Sequence, residues 1–361
     1  MTKVFDPRGD LIKHYALPIV DFWDMEGVTS ICINRYDTIY IRQNGEYKLT
    51  DAKFESENQL VKFISQVAKS LQQEINDDRP ILDARMPDGT RINAILAVNS
   101  LKGSNVTIRL FPKVRYSVND LLAKGMYSKE MLVYMQILIR SFANVLVSGQ
   151  SGSGKTTLLN ALGNLIPKDS RTLIIEDTAE LDLNIDNLIQ MEAPKRTLPE
   201  GIEPVTMSRL VINTLRQEPE RTIVGEIRDT AAASALQVAL NVGNKGVMST
   251  LHANSAEATL VRFQDMLLGN ETRLPYDVLV KRTRSFIDAV VYADRTPRDG
   301  QRVVELAETH EDGMNILFKW DFVRGEHVRQ FDDVLKASRL VNRALESGLV
   351  TKATLVEAGL M

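Results

Sequence analysis

The 361-residue sequence predicts an α/β protein in which a P-loop domain, built on a mostly parallel sheet, is preceded by a smaller α+β domain. Three observations carry this. The string Gly149-Gln150-Ser151-Gly152-Ser153-Gly154-Lys155-Thr156 follows the apolar run Asn144-Val145-Leu146-Val147-Ser148, which is the strand, loop and helix context of a phosphate-binding loop. Beyond 119, short apolar runs at 144–148, 171–176, 221–225 and 246–250 alternate with helical stretches, as parallel strands joined by crossover helices do. Before 111, turn-bounded strands surround one amphipathic helix.

Taken in order, a short helical opening around 9–17 precedes strands at 30–34 and 39–41 with a hairpin turn at Asn44-Gly45. A helix over 57–71 places Leu60, Phe63, Ile64, Val67 and Leu71 on one face. Strands at 81–86 and 91–97, joined by Pro87-Asp88-Gly89, and a strand at 105–111 complete a domain over 1–111. Pro112-Lys113-Val114-Arg115-Tyr116 breaks the pattern, and Ser117-Val118-Asn119-Asp120 reads as a helix cap, so 112–118 is the expected linker and 119–361 the second domain. From 286 the pattern changes to 287–292, 302–308 and 315–322, the last two flanking Glu311-Asp312-Gly313, which predicts an antiparallel extension of the sheet. The tail from 331 is helical. Leu335, Leu340, Val341, Leu345 and Leu349 form its packing stripe, for which intramolecular packing is the default over a partner surface.

Hydrophobic residues at 44% and charged residues at 25% fit a globular chain and exclude disordered and fibrous classes. A net charge of −3 supplies no global basic field, which argues against a nucleic-acid binder. The apolar run at 131–139 is too short to span a bilayer and leads into Arg140. Residues 1–8 lack the apolar core of a secretory signal, so a cytoplasmic location is expected. The single cysteine, Cys32, makes neither a disulfide nor a cysteine-based zinc site, and Ile31 and Ile33 beside it mark a strand position.

The chemistry gathers at strand ends. Glycines 149, 152 and 154 let backbone amides approach phosphate oxygens, Lys155 reaches the outer phosphates, and the Thr156 hydroxyl is one ligand for magnesium. The candidate nucleotide-binding set is therefore Gly149, Gln150, Ser151, Gly152, Ser153, Gly154, Lys155, Thr156 and the adjoining Thr157, for ATP with Mg2+. Arg221-Thr222-Ile223-Val224-Gly225-Glu226 supplies an acid at a neighbouring strand end. Gly225 stands where an aspartate is usual, so Glu226 polarises the water or holds the metal through its hydration shell. Glu176, Asp177 and Glu180 follow another strand, although Asp177 or Thr178 would also serve simply as a turn cap. His252 ends a fourth strand, where it can sense a terminal phosphate, whereas His14, His310 and His327 lack such a context. Met131 and Met135 are helix-core candidates. Arg85, Arg91 and Arg109 are candidates to meet phosphoryl charge, and each would also serve as a solvated sheet-face residue.

These strings together resemble the secretion and traffic ATPases of bacterial type II and type IV secretion, pilus assembly and conjugation. The similarity covers most of the chain. Asp83-Ala84-Arg85-Met86-Pro87-Asp88-Gly89-Thr90-Arg91-Ile92-Asn93 and Thr107-Ile108-Arg109-Leu110-Phe111 resemble segments of the branch serving type IV secretion and tight-adherence pili. Ile175-Glu176-Asp177-Thr178-Ala179-Glu180-Leu181 is similar to the family's aspartate box, and Ile223-Val224-Gly225-Glu226-Ile227-Arg228 to its atypical second nucleotide motif, in which glycine before glutamate is normal. Thr250-Leu251-His252-Ala253-Asn254-Ser255 is similar to its histidine box. The four-cysteine zinc motif of the type II branch is absent, and the retraction motors' carboxyl-terminal signature is not found.

The resemblance implies a homohexameric ring whose amino-terminal domains swing against RecA-like motor domains, with ATP between them. It implies that Glu226 is the catalytic or metal-orienting acid, with Thr156 beside it at the metal, that Glu176 and Glu180 assist, and that Arg85, Arg91 or Arg109 reach the phosphates. Inner-membrane components of the apparatus are the implied partners, giving peripheral membrane association through proteins and no direct nucleic-acid binding. A nucleotide-gated scaffold or switch and a RecA-type nucleic-acid motor remain as alternatives. A transporter-type ATPase is set aside for want of a Leu-Ser-Gly-Gly signature.

Overall fold

The computed structural model describes residues 15–86, 88–111, 116–193, 204–241, 245–269, 275–296 and 298–360, with the side chains of 335 and 336 outside that set. Most of the expected helical opening, residues 112–115 of the expected linker, Pro87 and His14 lie outside the described residues. The chain divides into two units, Met1–Val114 and Arg115–Met361.

In the first unit a 3-10 helix occupies Leu17–Trp23, started by Pro18, whose fixed φ suits a first helical turn. Strands β1 (Val28–Arg35), β2 (Thr38–Gln43) and β3 (Glu46–Leu49) precede helix α1 (Glu57–Ser70), and β4 (Ile81–Arg85), β5 (Arg91–Ile95) and β6 (Asn105–Arg109) follow it. The antiparallel sheet runs β3-β2-β1-β6-β5-β4. Asn44 and Gly45 both adopt positive φ, as a tight hairpin between β2 and β3 requires. Period-two alternation buries Ile31, Ile33, Ile39, Ile92 and Ile108 in one core with Leu60, Phe63, Ile64 and Val67 of α1. Half-buried Cys32 alternates with them. On the other face, Arg85 pairs with Arg91 and Arg91 with Arg109, so the three arginines stand in one row across adjacent strands. Ser30 and Arg42 continue the row.

The second unit begins with α2 (Val118–Ala123), whose Ser117 and Asp120 close a capping box, and α3 (Lys129–Arg140). There follow β7 (Val145–Ser148), α4 (Lys155–Gly163), β8 (Thr172–Glu176), β9 (Leu188–Glu192), α5 (Met207–Thr214), β10 (Arg221–Ile227), α6 (Thr230–Asn241), β11 (Met248–Leu251), α7 (Ala256–Leu268) and α8 (Tyr276–Phe286). Strands β12 (Ala289–Thr296), β13 (Gly300–His310), β14 (Gly313–Asp321) and β15 (Glu326–Arg329) precede the short helices α9 (Val334–Ala337), α10 (Arg339–Glu346) and α11 (Lys352–Glu357).

The nine strands are ordered β15-β14-β13-β12-β7-β11-β10-β8-β9, and the six from β12 to β9 are parallel. The fold class is the predicted one, with a correction at its edge. β12, expected as the start of the antiparallel extension, runs parallel to β7, and the antiparallel part begins at β13. The reason is that β12 follows the crossover helix α8, whereas β13 follows β12 through a tight turn. β9 and β15 had no counterpart in the sequence reading.

Central strands buried on both faces serve two cores. Met131, Met135, Leu158 and Leu162 pack with Val145, Val147, Ile174 and Ile223. Leu236, Leu260 and Phe263 pack with Leu146, Ile175, Val224 and Leu251. Each such side chain, fully buried, contributes about 1.5–3 kcal/mol of transfer free energy. In the tail, Leu340 and Val341 are buried in the first of these cores, Leu345 packs at its edge and Leu349 is exposed.

Candidate functional site

β7 is buried along its whole length and ends at the loop, where the chain turns into α4. Gly149 has a positive φ of 150°, and a Cβ there would lie 1.9 Å from the Ala293 carbonyl oxygen of β12, so only glycine fits. Gly154 is the left-handed N-cap of α4 at φ 91°. Lys155 is buried; its Nζ donates to the Gln150 carbonyl at 2.9 Å and lies 3.4 Å from His252 Nδ1. Ser153 is also buried, and its hydroxyl has no partner among the described residues. Thr156 and Thr157 follow in the first turn of α4 and are half-buried. A glycine-lined cradle at a helix N-terminus with a buried lysine fits an anionic phosphate chain.

Strand β11 lies beside β7 and β10 beside β11, and the three parallel strands bring their carboxyl ends to the same edge of the sheet. Glu226 Oε1 is 2.9 Å from His252 Nε2, so a chain of polar contacts runs from Lys155 through His252 to Glu226. Burial, and next the Lys155 ammonium, hold the His252 imidazole below its usual range. The neutral form is therefore favoured at pH 7, with Nδ1 toward the lysine and Nε2 toward the carboxylate. Arg228 Nε donates to Glu226 Oε2 at 2.7 Å, and its Nη1 donates to Asp177 Oδ2 at 3.2 Å. Thr250 Oγ1 donates to the Gly225 carbonyl at 2.7 Å, fixing the backbone next to Glu226.

Glu176 is placed differently from the other acids. It is 3% exposed, its Oε1 accepts from the Glu180 and Leu181 amides at 2.9 and 3.1 Å, and its Oε2 accepts from Gln190 Nε2 at 3.0 Å. Burial raises its pKa, and these donors pull it back. Glu176 thus shapes the loop 177–181 that presents Asp177 to Arg228. It also accounts for Gly225, since a Cβ at 225 would come within 2.8 Å of Glu176 Cγ. Glu180 is half-buried, and its charge acts on Arg228.

Beside the loop a cleft of about 840 Å³ is lined by Gln150, Ser151, His252, Asn254, Glu257 and Arg262. Arg85, Arg91 and Arg109 belong to the first unit and keep their common row there. The structure therefore gathers the loop, Glu226 and His252, and turns Glu176 toward the backbone. Three participants escaped sequence reasoning. Arg228 had a signal, standing two residues past Glu226, but Gln190 and Gln301 are ordinary polar residues that meet the site only through tertiary contacts. Gln301 Nε2 donates to the Gly152 carbonyl at 2.8 Å across 149 residues of chain.

Residues 14–288 match the family described as Type II/IV secretion system protein. The sequence is 28% identical over 319 residues to the type IV secretion system protein VirB11 of Brucella suis biovar 1, with 81% of this chain and 88% of that relative covered. It is 30% identical over 289 residues to the probable conjugal transfer protein TrbB of Sinorhizobium fredii, with 79% and 84% covered. Among solved structures, the ATPase DotB of Yersinia pseudotuberculosis is similar at a TM-score of 0.59 and 14% identity, covering 99% of this chain and 87% of that one. DotB of Legionella pneumophila is similar at a TM-score of 0.57 and 20% identity, covering 86% and 84%. These two likenesses show the fold alone, a RecA-like α/β domain.

Proposed function

The chain belongs to the type II/IV secretion system protein family, and on that premise we propose that it is an ATP-hydrolysing, homohexameric motor powering a type IV secretion, conjugation or pilus-assembly apparatus through domain motion. The observation that carries this reading is the Lys155–His252–Glu226 contact chain at the carboxyl ends of β7, β11 and β10. It joins a phosphate-binding lysine to a carboxylate placed as a base, which a loop serving only as a turn does not need. The relatives named for type IV secretion and conjugal transfer support the choice of apparatus.

In this mechanism the amides of 149–154 and Lys155 hold the phosphates, and Gln150, Thr156 and Thr157 complete the nucleotide contacts. Thr156 and Glu226 would hold Mg2+, which would supply charge neutralisation at the phosphates. Glu226 orients the attacking water and takes its proton, while Arg228 on one oxygen and His252 on the other fix the carboxylate. Neutral His252 also couples that carboxylate to Lys155, so loss of the terminal phosphate is felt at both. Glu176 and Glu180 assist by holding the Asp177 loop against Arg228. The row of Arg85, Arg91 and Arg109 meets the phosphate charge from the amino-terminal domain. The protein acts in the cytoplasm, peripherally attached to inner-membrane components of the apparatus.

The test compares Glu226→Gln with Lys155→Ala. Glu226→Gln should keep ATP affinity within about twofold and lower turnover by about 100-fold, the size of effect expected for one reacting-centre group. Unchanged turnover and transport in Glu226→Gln, with ring assembly lost in Lys155→Ala, would replace the motor by a nucleotide-gated scaffold. Turnover stimulated by DNA, with binding that falls steeply with salt, would instead identify a nucleic-acid motor.

A further inference from the structure

The first residues of β13 touch two segments that no sequence motif connects. Gln301 donates to the Gly152 carbonyl at 2.8 Å, and its amide carbon lies 3.2 Å from where a Cβ on Gly154 would stand. On the far side of the Gly152–Ser153 peptide, the Ser153 amide donates to the Gln150 carbonyl at 3.3 Å. A peptide group is planar, so holding its carbonyl also sets the direction of its N–H. Gln301 therefore governs the orientation of the Gly152–Ser153 peptide of the phosphate loop.

Neighbouring residues of a strand project to opposite faces, and Arg302 accordingly reaches the other way. Its Nη1 donates to the Lys124 carbonyl at 3.2 Å, its guanidinium lies 3.4 Å from where a Cβ on Gly125 would stand, and it is seated 5.3 Å over the Trp320 ring. The Val303 amide donates to the Met126 carbonyl at 2.7 Å. Residues 124–126 connect α2 to α3, and α2 starts within four residues of the junction between the two units. All three bonds end on backbone carbonyls, and the one from the Val303 amide joins main chain to main chain, so displacement passes directly between β13 and residue 126.

We propose that residues 301–303 form a strap in which Gln301 is a positioning residue for the phosphate loop, while Arg302 and Val303 convey the loop's movement to residues 124–126. The strap rests on the nucleotide reading above and adds a route from the loop toward the amino-terminal domain.

The experiment measures ADP affinity and backbone hydrogen exchange over 118–126, with and without saturating ADP, in the full chain and in Gln301→Leu. In the unsubstituted protein ADP should slow exchange over 118–126. Gln301→Leu should bind ADP roughly threefold to tenfold more weakly, the worth of one hydrogen bond. At saturation it should protect the loop while leaving 118–126 unresponsive, with an unchanged melting temperature when no ADP is present. Full parental affinity, or parental protection of 118–126, overturns the strap. Gln301→Glu retains the side-chain length but removes the donor, and it decides the matter if the leucine variant melts early or fails to fold. Loss of the 118–126 response in Gln301→Glu sustains the proposal, and its retention overturns it. ADP binding without any change at 118–126 in the unsubstituted protein sinks the strap alone, whereas absence of ADP binding removes the nucleotide reading together with it.

Discussion

The two ends of the parallel strands are both rich in charged and polar groups, yet they are built to opposite purposes. At the amino ends, Asp288 accepts from the Asn144 amide and from Arg339 Nη2, both at 2.9 Å. Glu308 accepts from Tyr134, Ser338 and the Leu340 amide. Arg221 donates to the Ile139 carbonyl at 2.8 Å and stacks 3.9 Å over Phe142. Burial pulls Arg221 down to about 10 and raises Asp288. At the carboxyl ends, by contrast, Glu226 is shared between His252 and Arg228, and the His252 side chain is still 42% exposed. A perturbed ionisable group therefore reports burial first. What marks the site is a set of groups facing a cradle and a cleft, at the strand ends where such sheets hold ligands.

The largest expected effect separates the ends cleanly. Lys155→Ala should lower ATP turnover by more than about 100-fold while moving the melting temperature by no more than about 3 °C, as paired kinetic and thermal measurements will show. A large drop in melting temperature would blur the distinction between the two ends.

Glu308→Ala is the converse case. It removes the acceptor of the buried Tyr134 and Ser338 hydroxyls and of the Leu340 amide and should cost about 3 kcal/mol, read from denaturant unfolding, with turnover per folded molecule preserved. Turnover falling in proportion to stability would show that the amino end also serves the chemistry.

Gly225→Ala tests a joint between structure and site. The added methyl must push Glu176 off the Glu180 and Leu181 amides, which should cost about 1–3 kcal/mol and lower turnover because Asp177 then shifts against Arg228. Unchanged stability and turnover would mean that the Glu176 side chain moves aside freely.

The last effect, confined to acid pH and to a single group, leaves the site untouched. His327 is half-buried against Trp320, contacts the Val303 carbonyl at 3.0 Å and is held down to about 4 chiefly by desolvation there. Its folded pKa lies below the ordinary 6.5, so between about pH 4 and 6.5 the unfolded chain binds a proton there that the folded chain does not. Stability should then fall with falling pH across that window, by up to about 1.4 kcal/mol per pH unit for this one group. Unfolding curves of His327→Leu across the same window should lose that part of the slope, and an identical slope would refute the assignment.

Much of this architecture can be read in the chain because β7, β8, β10 and β11 are buried on both faces and so stand out as short apolar runs. β9 is an edge strand with only half-buried positions and an exposed Gln190, and β15 reads Glu-His-Val-Arg, so neither leaves such a run. The direction of β12 was hidden because apolar pattern records burial and says nothing of which neighbour a strand pairs with. Within the site, the loop, Glu226 and His252 lie in contiguous strings, but the inward turn of Glu176 depends on amides that follow it and on Gln190. The hold of Gln301 on Gly152 joins residues whose spacing obeys no local rule.

The placing of β7 bears on how the protein is made. Its neighbours in the sheet are β11 and β12, and Asn144 at its root stitches both, accepting from the Val247 amide 103 residues later and donating to the Phe286 carbonyl 142 residues later. During synthesis the strand that carries the phosphate loop must therefore wait for both partners to leave the ribosome. At about 5–20 residues per second that delay is on the order of ten seconds. Over that interval Val145, Leu146 and Val147 have no sheet to enter, so the strand that carries the phosphate loop is among the last of the parallel core to be paired.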